Sequence, residues 1–267
     1  MGPFCICIVT YYPSQKIIDR INEIKDNWPV VVYDNTPEGE GELFTLSIPK
    51  EMILGDGRNR GLGVALQALL IDAQHCGFDR LLYFDQDTFF SKDSLEWIAG
   101  WFQSHPLEAQ KYAILNFAGN GTKRNVLHAE VTNRAFVINS GCVFDVAWAV
   151  KVGGHNPGYF LECVDYEFCL RVAQSGGKIG EVIGCPDLDH VIEQPMQCVM
   201  IFGRKFQYRL YPIARSRKFI FHLWKLSWAA LIHGPRRYCY LFMRNSLTHF
   251  IAQCRSVALE SILRIQK

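Results

Sequence analysis

Leu81-Leu82-Tyr83-Phe84-Asp85-Gln86-Asp87-Thr88 decides the reading of this chain. An apolar run of strand character stops at two acids spaced i and i+2, followed by a hydroxyl residue. A continuous apolar run is the mark of a strand buried on both faces in a parallel sheet. Ligands of open α/β sheets gather beyond the carboxyl ends of such strands. Two hard carboxylates there suit Mg²⁺ or Mn²⁺, an ion that takes substrate phosphates as its other ligands. The alternative is that Asp87 or Thr88 caps a turn while Asp85 is solvated.

Outward from that strand the pattern alternates. Phe4–Thr10 and Pro29–Tyr33 are further apolar, β-rich runs, the second closing on Asp34-Asn35. Between them Ile17, Ile18, Ile21 and Ile24 recur at helical spacing behind Ser14 as N-cap. Helical spacing returns over Leu62–His75 and near Ser91–Phe102. Residues 36–49 read as a loop with a short strand from Leu43 to Ile48. Farther on, Tyr112–Phe117, Val131–Ile138 and Lys178–Ile183 read as strands, and Cys142–Val150 and Val164–Gln174 as helices. Such alternation argues for an α/β, mostly parallel sheet with flanking helices.

Charge divides the chain of 267 residues unevenly. Residues 1–198 hold 15 Lys/Arg against 25 Asp/Glu; residues 199–267 hold 13 against one acid, Glu260. A domain boundary is therefore expected near 198, separating an acidic body (1–198) from a basic, aromatic appendage (199–267). In the appendage, Phe219–Ile232 is apolar but broken by His222 and Lys225, too short to span a bilayer. Met243, Leu247, Phe250, Cys254 and Val257 form a second apolar helical line, with Arg237, Arg244 and Arg255 elsewhere. Helices of this kind lie in a headgroup interface. The alternatives are a hairpin packed on the catalytic body, a dimer contact, or a nucleic-acid-binding module, the last of which leaves the strand-end acids without a role. Ten cysteines without a Cys-x-x-Cys, and no leader-like start, suggest reduced, mostly buried thiols in a cytoplasmic protein.

Several residues invite chemistry. Asp34 ends its strand as Asp85 does and is placed to accept hydrogen bonds from a nucleoside, or else to form an Asx turn with Asn35. Gly55-Asp56-Gly57-Arg58-Asn59-Arg60-Gly61-Leu62-Gly63 feeds a helix and could receive an anion through its backbone N–H groups, although it matches neither a Rossmann nor a Walker pattern. In Tyr159–Arg171, Asp165 stands in the first turn of the expected helix as a candidate general base, or as a plain complement to the helix dipole. Glu167 and Arg171 pair at i,i+4. His190 follows a strand and is either structural or a third contact for a cation.

In this order the pieces resemble the inverting family-2 glycosyltransferases of the GT-A fold, and within them the bacterial rhamnosyltransferase branch that builds cell-surface polysaccharides. Ile8–Tyr12, Tyr33-Asp34-Asn35, Asn59–Ala65, Asp85-Gln86-Asp87, Asn139-Ser140-Gly141, Val164–Arg171, His190 and Arg209–Ser216 carry the likeness. Gln67, Pro212 and Ser216 depart from its pattern. The resemblance implies a nucleotide-sugar site lined by Thr10, Tyr11, Tyr12, Asp34, Asn59, Gly61, Asp85, Gln86 and Arg215. It implies Mg²⁺ or Mn²⁺ held by Asp85, Asp87 and His190, Asp165 as catalytic base, and Ser140, Gly141 and Glu162 on the acceptor side. The implied donor is dTDP-L-rhamnose, with a galactofuranosyl- or hexosyltransferase using a UDP-sugar as the next reading. The implied acceptor is a saccharide on a polyprenyl diphosphate, met by an enzyme attached peripherally to the inner face of the plasma membrane, with no nucleic acid among its partners. A silent sugar- or nucleotide-binding protein would keep the same fold without needing a base.

Overall fold

A computed structural model describes residues 4–37, 48–119, 125–190, 197–201, 204–208 and 211–265. The expected strand at Leu43 falls mostly outside them, as do Arg209 and Leu210. The chain divides into two compact units, Met1–Val191 and Ile192–Lys267.

The first unit opens with β1 (Cys5–Thr10), α1 (Gln15–Ile24), β2 (Val30–Asp34) and a short β3 (Ile53–Leu54). It continues through α2 (Leu62–His75), β4 (Arg80–Asp85), β5 (Thr88–Phe89), α3 (Lys92–Ser104) and α4 (Pro106–Ala109). Then follow β6 (Ile114–Ala118), β7 (Val131–Asn133), β8 (Cys142–Asp145), α5 (Val146–Lys151), α6 (Val164–Gln174), β9 (Ile179–Ile183) and β10 (Asp189–His190). Eight strands form one sheet in the order β3-β2-β1-β4-β8-β6-β9-β7. Pairing is parallel from β3 to β4 and between β6 and β9, while β8 runs antiparallel to both its neighbours and β7 antiparallel to β9.

The apolar runs read as strands are buried on both faces. Ile6, Ile8, Leu82 and Phe84 are fully buried, and so are Cys5, Cys7 and Tyr83, whose side chains alternate with them. Helix α1 buries Ile17, Ile18, Ile21 and Ile24, the four residues its spacing picks out. Ser91 caps α3 through a capping box with Ser94. One expectation is corrected: the first part of Cys142–Val150 is a strand, and only Val146–Lys151 is helical. Cys142, Val143 and Phe144 fill the slot between β4 and β6, where both neighbours pair with them, and this tertiary gain outweighs helical spacing. Asp145 then accepts the Trp148 N–H at 2.8 Å and starts the helix. Likewise the strand expected over Val131–Ile138 stops at Asn133.

Parallel registry sets the acids in a row. Thr10 lies opposite Asp34, and Val9 opposite Asp85, so the carboxyl ends of β1, β2 and β4 share one edge. The glycines of the 55–63 stretch serve close packing against the segment leading to α6. A Cβ on Gly63 would strike the Asn156 carbonyl oxygen and lie 2.5 Å from that of Tyr159; one on Gly61 (φ +81°) would meet Phe160 at 2.6 Å. The Leu62 and Gly63 N–H groups donate to the Phe160 and Tyr159 carbonyls at 2.6 and 3.2 Å. These amides therefore hold a loop, where the sequence suggested an anion.

The second unit contains the antiparallel pair β11 (Gln197–Ile201) and β12 (Arg204–Tyr208), then α7 (Ile213–His233) and α8 (Arg236–Ile265). The two helices pack as a hairpin. Trp224 Nε1 donates to Ser246 Oγ at 2.9 Å, and Gln253 Nε2 donates to Ser216 Oγ and the Tyr211 carbonyl at 2.8 and 2.9 Å.

Replacing Gly63 with Ala forces the loop at 156–160 off α2, because both obstacles are backbone atoms. We expect a loss of about 1–3 kcal/mol in urea unfolding, the usual cost of overpacking, whereas Gly77→Ala, which meets nothing within 4 Å, loses only what its φ of +76° imposes.

Candidate active site

Four acidic or phenolic side chains from two distant segments share one electrostatic neighbourhood. The Tyr83 hydroxyl donates a short hydrogen bond to Asp85 Oδ1. Its phenol is pushed well above the ordinary range by burial, then by the charges of Asp85, Asp165 and Asp87. The Asp85 carboxyl is raised to about 6, chiefly by desolvation and further by Asp87, against the lowering effect of the Tyr83 hydrogen bond. Asp165 is raised to about 7 by desolvation and by the charge on Asp85, while the Asn139 N–H that bonds to it pulls the other way. Asp85 and Asp165 are half-buried; Asp87 is exposed. The structure thus brings Asp85, Asp87 and Asp165 together from opposite halves of the unit.

Asp165 reaches this place from the first turn of α6, which follows Cys163 in the left-handed region (φ 64°). The helix is anchored by the expected Glu167–Arg171 pair, with N–O separations of 2.7 Å and the Arg171 guanidinium also on the carbonyls of Val152 and Gly154. Glu162 is half-buried just before this helix.

The Asp-Gln-Asp turn is braced from below. Ser140, 2% exposed, accepts the Asp85 N–H at 2.9 Å and shares a 2.6 Å hydrogen bond with Thr88. Gly141 (φ +77°) donates its N–H to the Tyr83 carbonyl at 2.8 Å, where a Cβ would strike the Phe117 carbonyl. Both were expected on the acceptor side; their hydrogen bonds also support the turn. Gln86 is similarly engaged. Its amide group accepts from the Tyr11 N–H at 2.8 Å and donates to the Tyr11 carbonyl at 3.0 Å, pairing like a strand neighbour. The sequence reading placed Gln86 on the donor; in the structure its side chain ties the Tyr11-Tyr12 loop to the turn.

At the other end of the edge, Asp34 Oδ1 accepts from Thr10 Oγ1 at 3.1 Å and from the N–H and Oγ1 of Thr36 at 3.0 and 2.7 Å. That is the Asx-type turn weighed above, and it leaves Oδ2 without a partner among the described residues. Tyr11 and Tyr12 stand beside it, nearly half exposed, their rings edge to face at 4.5 Å. Asn59 is exposed and caps the Gly61 N–H at 3.1 Å, while the Arg60 N–H binds Asn35 Oδ1 at 3.0 Å.

His190 is in β10, its backbone opposite Thr88, one residue beyond Asp87; its side chain lies outside the described residues. Arg215 belongs to the second unit, with its guanidinium 4.3 Å from the Tyr211 ring centre. Among the described residues no group of three or more His, Cys, Asp or Glu is assembled to hold a metal ion by itself. Tyr83, Thr36 and Asn139 were not singled out from the sequence. Tyr83 had a signal, since i and i+2 on a strand share a face.

No family model matches the chain. In sequence it is similar to the dTDP-rhamnosyl transferase RfbF of Shigella flexneri, 25% identical over 186 residues, spanning 63% of this chain and 62% of the relative. In structure it is similar to GalNAc-T7 crystallised with UDP, GalNAc and Mn²⁺, with a TM-score of 0.50 and 13% identity over 71% of this chain and 45% of that one. This is a GT-A fold. A mannose-1-phosphate geranyltransferase from Thermus thermophilus aligns at a TM-score of 0.43, 12% identical over 72% of this chain and 76% of its own. The GT-A unit spans its sheet edge from Asp34 to Asp85, with Asp165 facing the latter acid.

Both raised carboxyls bind protons more tightly in the folded than in the unfolded chain. The stability they contribute is full below about pH 4, the ordinary Asp range, and is lost as pH rises through about 6 for Asp85 and about 7 for Asp165. In cation-free buffer the unfolding free energy of Asp165→Asn should therefore gain on the wild type between pH 4 and 7.5. A difference independent of pH would show that Asp165 is not held near Asp85.

Proposed function

We propose that this chain is a metal-dependent inverting glycosyltransferase that moves L-rhamnose from dTDP-L-rhamnose to a saccharide carried on a polyprenyl diphosphate, in the assembly of a cell-surface polysaccharide. The observation that carries this reading is the meeting of Asp165 with Asp85 and Asp87 at the carboxyl edge of the sheet. The donor is inferred from likeness to a relative named for dTDP-rhamnose.

Oδ2 of Asp34 is the acceptor left for the nucleoside, and the Tyr11-Tyr12 loop, pinned by Gln86, forms a wall beside it. Thr10, Asn59 and Gly61 shape this side through the hydrogen bonds that hold Asp34 and the 59–61 turn. Asp87 and Asp85 fit a divalent cation: burial and then the charge of Asp87 raise Asp85, and two hard carboxylates leave oxygen positions for a diphosphate, with His190 assigned as a third contact. When bound, Mg²⁺ or Mn²⁺ would neutralise charge on the departing nucleotide diphosphate.

Asp165 takes the proton from an acceptor hydroxyl. That oxygen bonds to the anomeric carbon from the face opposite the diphosphate, and the carbon–oxygen bond to the diphosphate breaks with its electron pair going to the nucleotide. A base with a pKa near the working pH combines a useful ionised fraction with proton affinity, and Asp165 at about 7 meets that condition. Glu162, at the entrance to α6, is placed on the acceptor side. We assign Arg215 a donor contact from its segment's likeness to the family.

The second unit supplies attachment. No helix among the described residues is long and apolar enough to cross a membrane. The 13 Lys/Arg against one acid in residues 199–267 favour peripheral binding to an anionic surface, at the inner face of the plasma membrane where a lipid-linked acceptor is presented.

A panel of dTDP- and UDP-sugars with Mg²⁺ or Mn²⁺ should give donor hydrolysis with dTDP-L-rhamnose foremost; silence across the panel would sink the enzyme reading. Asp165→Asn should keep nucleotide affinity within a few-fold yet lose about 10²–10⁴ in transfer, the range for a general base. Turnover like the wild type's would remove Asp165 from its role. Gln86→Ala should weaken dTDP binding by freeing the Tyr11 loop, while Asp85→Asn should chiefly raise the concentration of Mg²⁺ or Mn²⁺ needed for donor hydrolysis.

A further inference from the structure

The outer face of the helical hairpin is apolar, aromatic and basic at once. On α7, Phe221, Trp224 and Trp228 are 66%, 56% and 60% exposed, while Leu223, Leu226 and Ala230 are buried against α8. On α8 the inward residues are Tyr238, Phe242, Ser246 and His249; Met243, Leu247 and Phe250 are each more than half exposed. Met243, Leu247, Phe250 and Cys254 of the apolar line read from the sequence thus face away from the hairpin's own core, while the Val257 side chain lies outside the described residues. Between the helices this face is hollowed into a cavity of about 1050 Å³, walled by Ile220, Phe221, Trp224, Trp228 and Phe250, with Arg217 and Lys225 among its lining. Scattered exposed hydrophobics need no explanation, but a continuous aromatic trough of this size marks a binding surface.

Charge selects the occupant. A second copy set hairpin to hairpin would bring cations onto cations, because residues 199–267 hold 13 Lys/Arg and one acid. A neutral chain would fill the trough and ignore Arg217 and Lys225. A long-chain amphiphile with an anionic head satisfies both.

We propose that this trough binds the isoprenoid chain of a phosphorylated lipid, with Arg217 and Lys225 on its phosphate, and that this lipid is the carrier of the acceptor saccharide. The inference rests on the reading of the acceptor as lipid-linked. It goes beyond general attraction to a membrane, since it requires a saturable site for one molecule. The exposed indoles of Trp224 and Trp228 report directly on occupancy, and the Trp224 N–H bond to Ser246 makes Trp228 the safer residue to replace.

Farnesyl phosphate, below the concentration at which it forms micelles, is the probe for the full chain, with binding followed by tryptophan fluorescence and calorimetry. We expect saturation at one molecule per chain. Arg217→Ala/Lys225→Ala should weaken binding roughly tenfold or more, and Phe221→Ala/Trp228→Ala should also weaken it, with circular dichroism unchanged. Farnesol and inorganic pyrophosphate should each bind far more weakly. Equal affinity for farnesol, wild-type affinity in both double variants, or a dimer in sedimentation that hides these tryptophans would overturn the site. Donor hydrolysis by the same variants should match the wild type. A wild-type chain that hydrolyses donor but does not bind farnesyl phosphate refutes the trough and leaves the transferase; saturable binding without any donor hydrolysis does the reverse.

Discussion

Asp85 and Asp165 repel each other, and much of the first unit works to keep them close. Desolvation lifts both carboxyls toward neutrality, aided by the charge of Asp87 on Asp85 and of Asp85 on Asp165. Opposing that cost are a phenol on Asp85, a backbone N–H on Asp165, and the Ser140 hydroxyl under the turn. Strain of this kind persists only where surrounding structure over-determines it, and it concentrates where binding or chemistry can relieve it. Parallel registry aligns the ends of β1, β2 and β4; the α6 side is then brought across by the close approach of residues 156–160 to Gly61 and Gly63.

Much of this was legible in the sequence, for reasons that differ by residue. Strands buried on both faces announce themselves as unbroken apolar runs, so β1, β2 and β4, and the acids that end the last two, could be read directly. The isoleucine spacing of α1 and the bounds of α6 followed from periodicity. Cys142–Val150 could not be read that way, because an apolar run short enough for either state is settled by what lies beside it. The slot between β4 and β6 is known only once the sheet is assembled.

The candidate site was legible as residues and less so as roles. Asp34, Asp85, Asp87 and Asp165 are marked by position, since an acid closing an apolar strand or opening a helix is conspicuous. Ser140, Gly141 and Gln86 lie in the same segments but point their hydrogen-bonding capacity at protein. Whether a polar side chain meets a ligand or a neighbouring backbone depends on partners 55 to 75 positions away, which spacing does not encode. The glycine-rich stretch misled for a related reason: a small residue that admits a phosphate equally admits a carbonyl.

One chain of contacts has a practical bearing on altering specificity. Asn35, next to Asp34, holds the Arg60 amide; Asn59 caps Gly61; and the amides that follow grip Tyr159 and Phe160, a few positions ahead of Asp165. On the proposed reading, the segment that would be exchanged to change base preference is therefore also the seat of the loop leading to Asp165. A chimera that imports 55–63 from another enzyme without its matching 156–160 would inherit a mismatched joint, so the two segments should be transplanted as a pair.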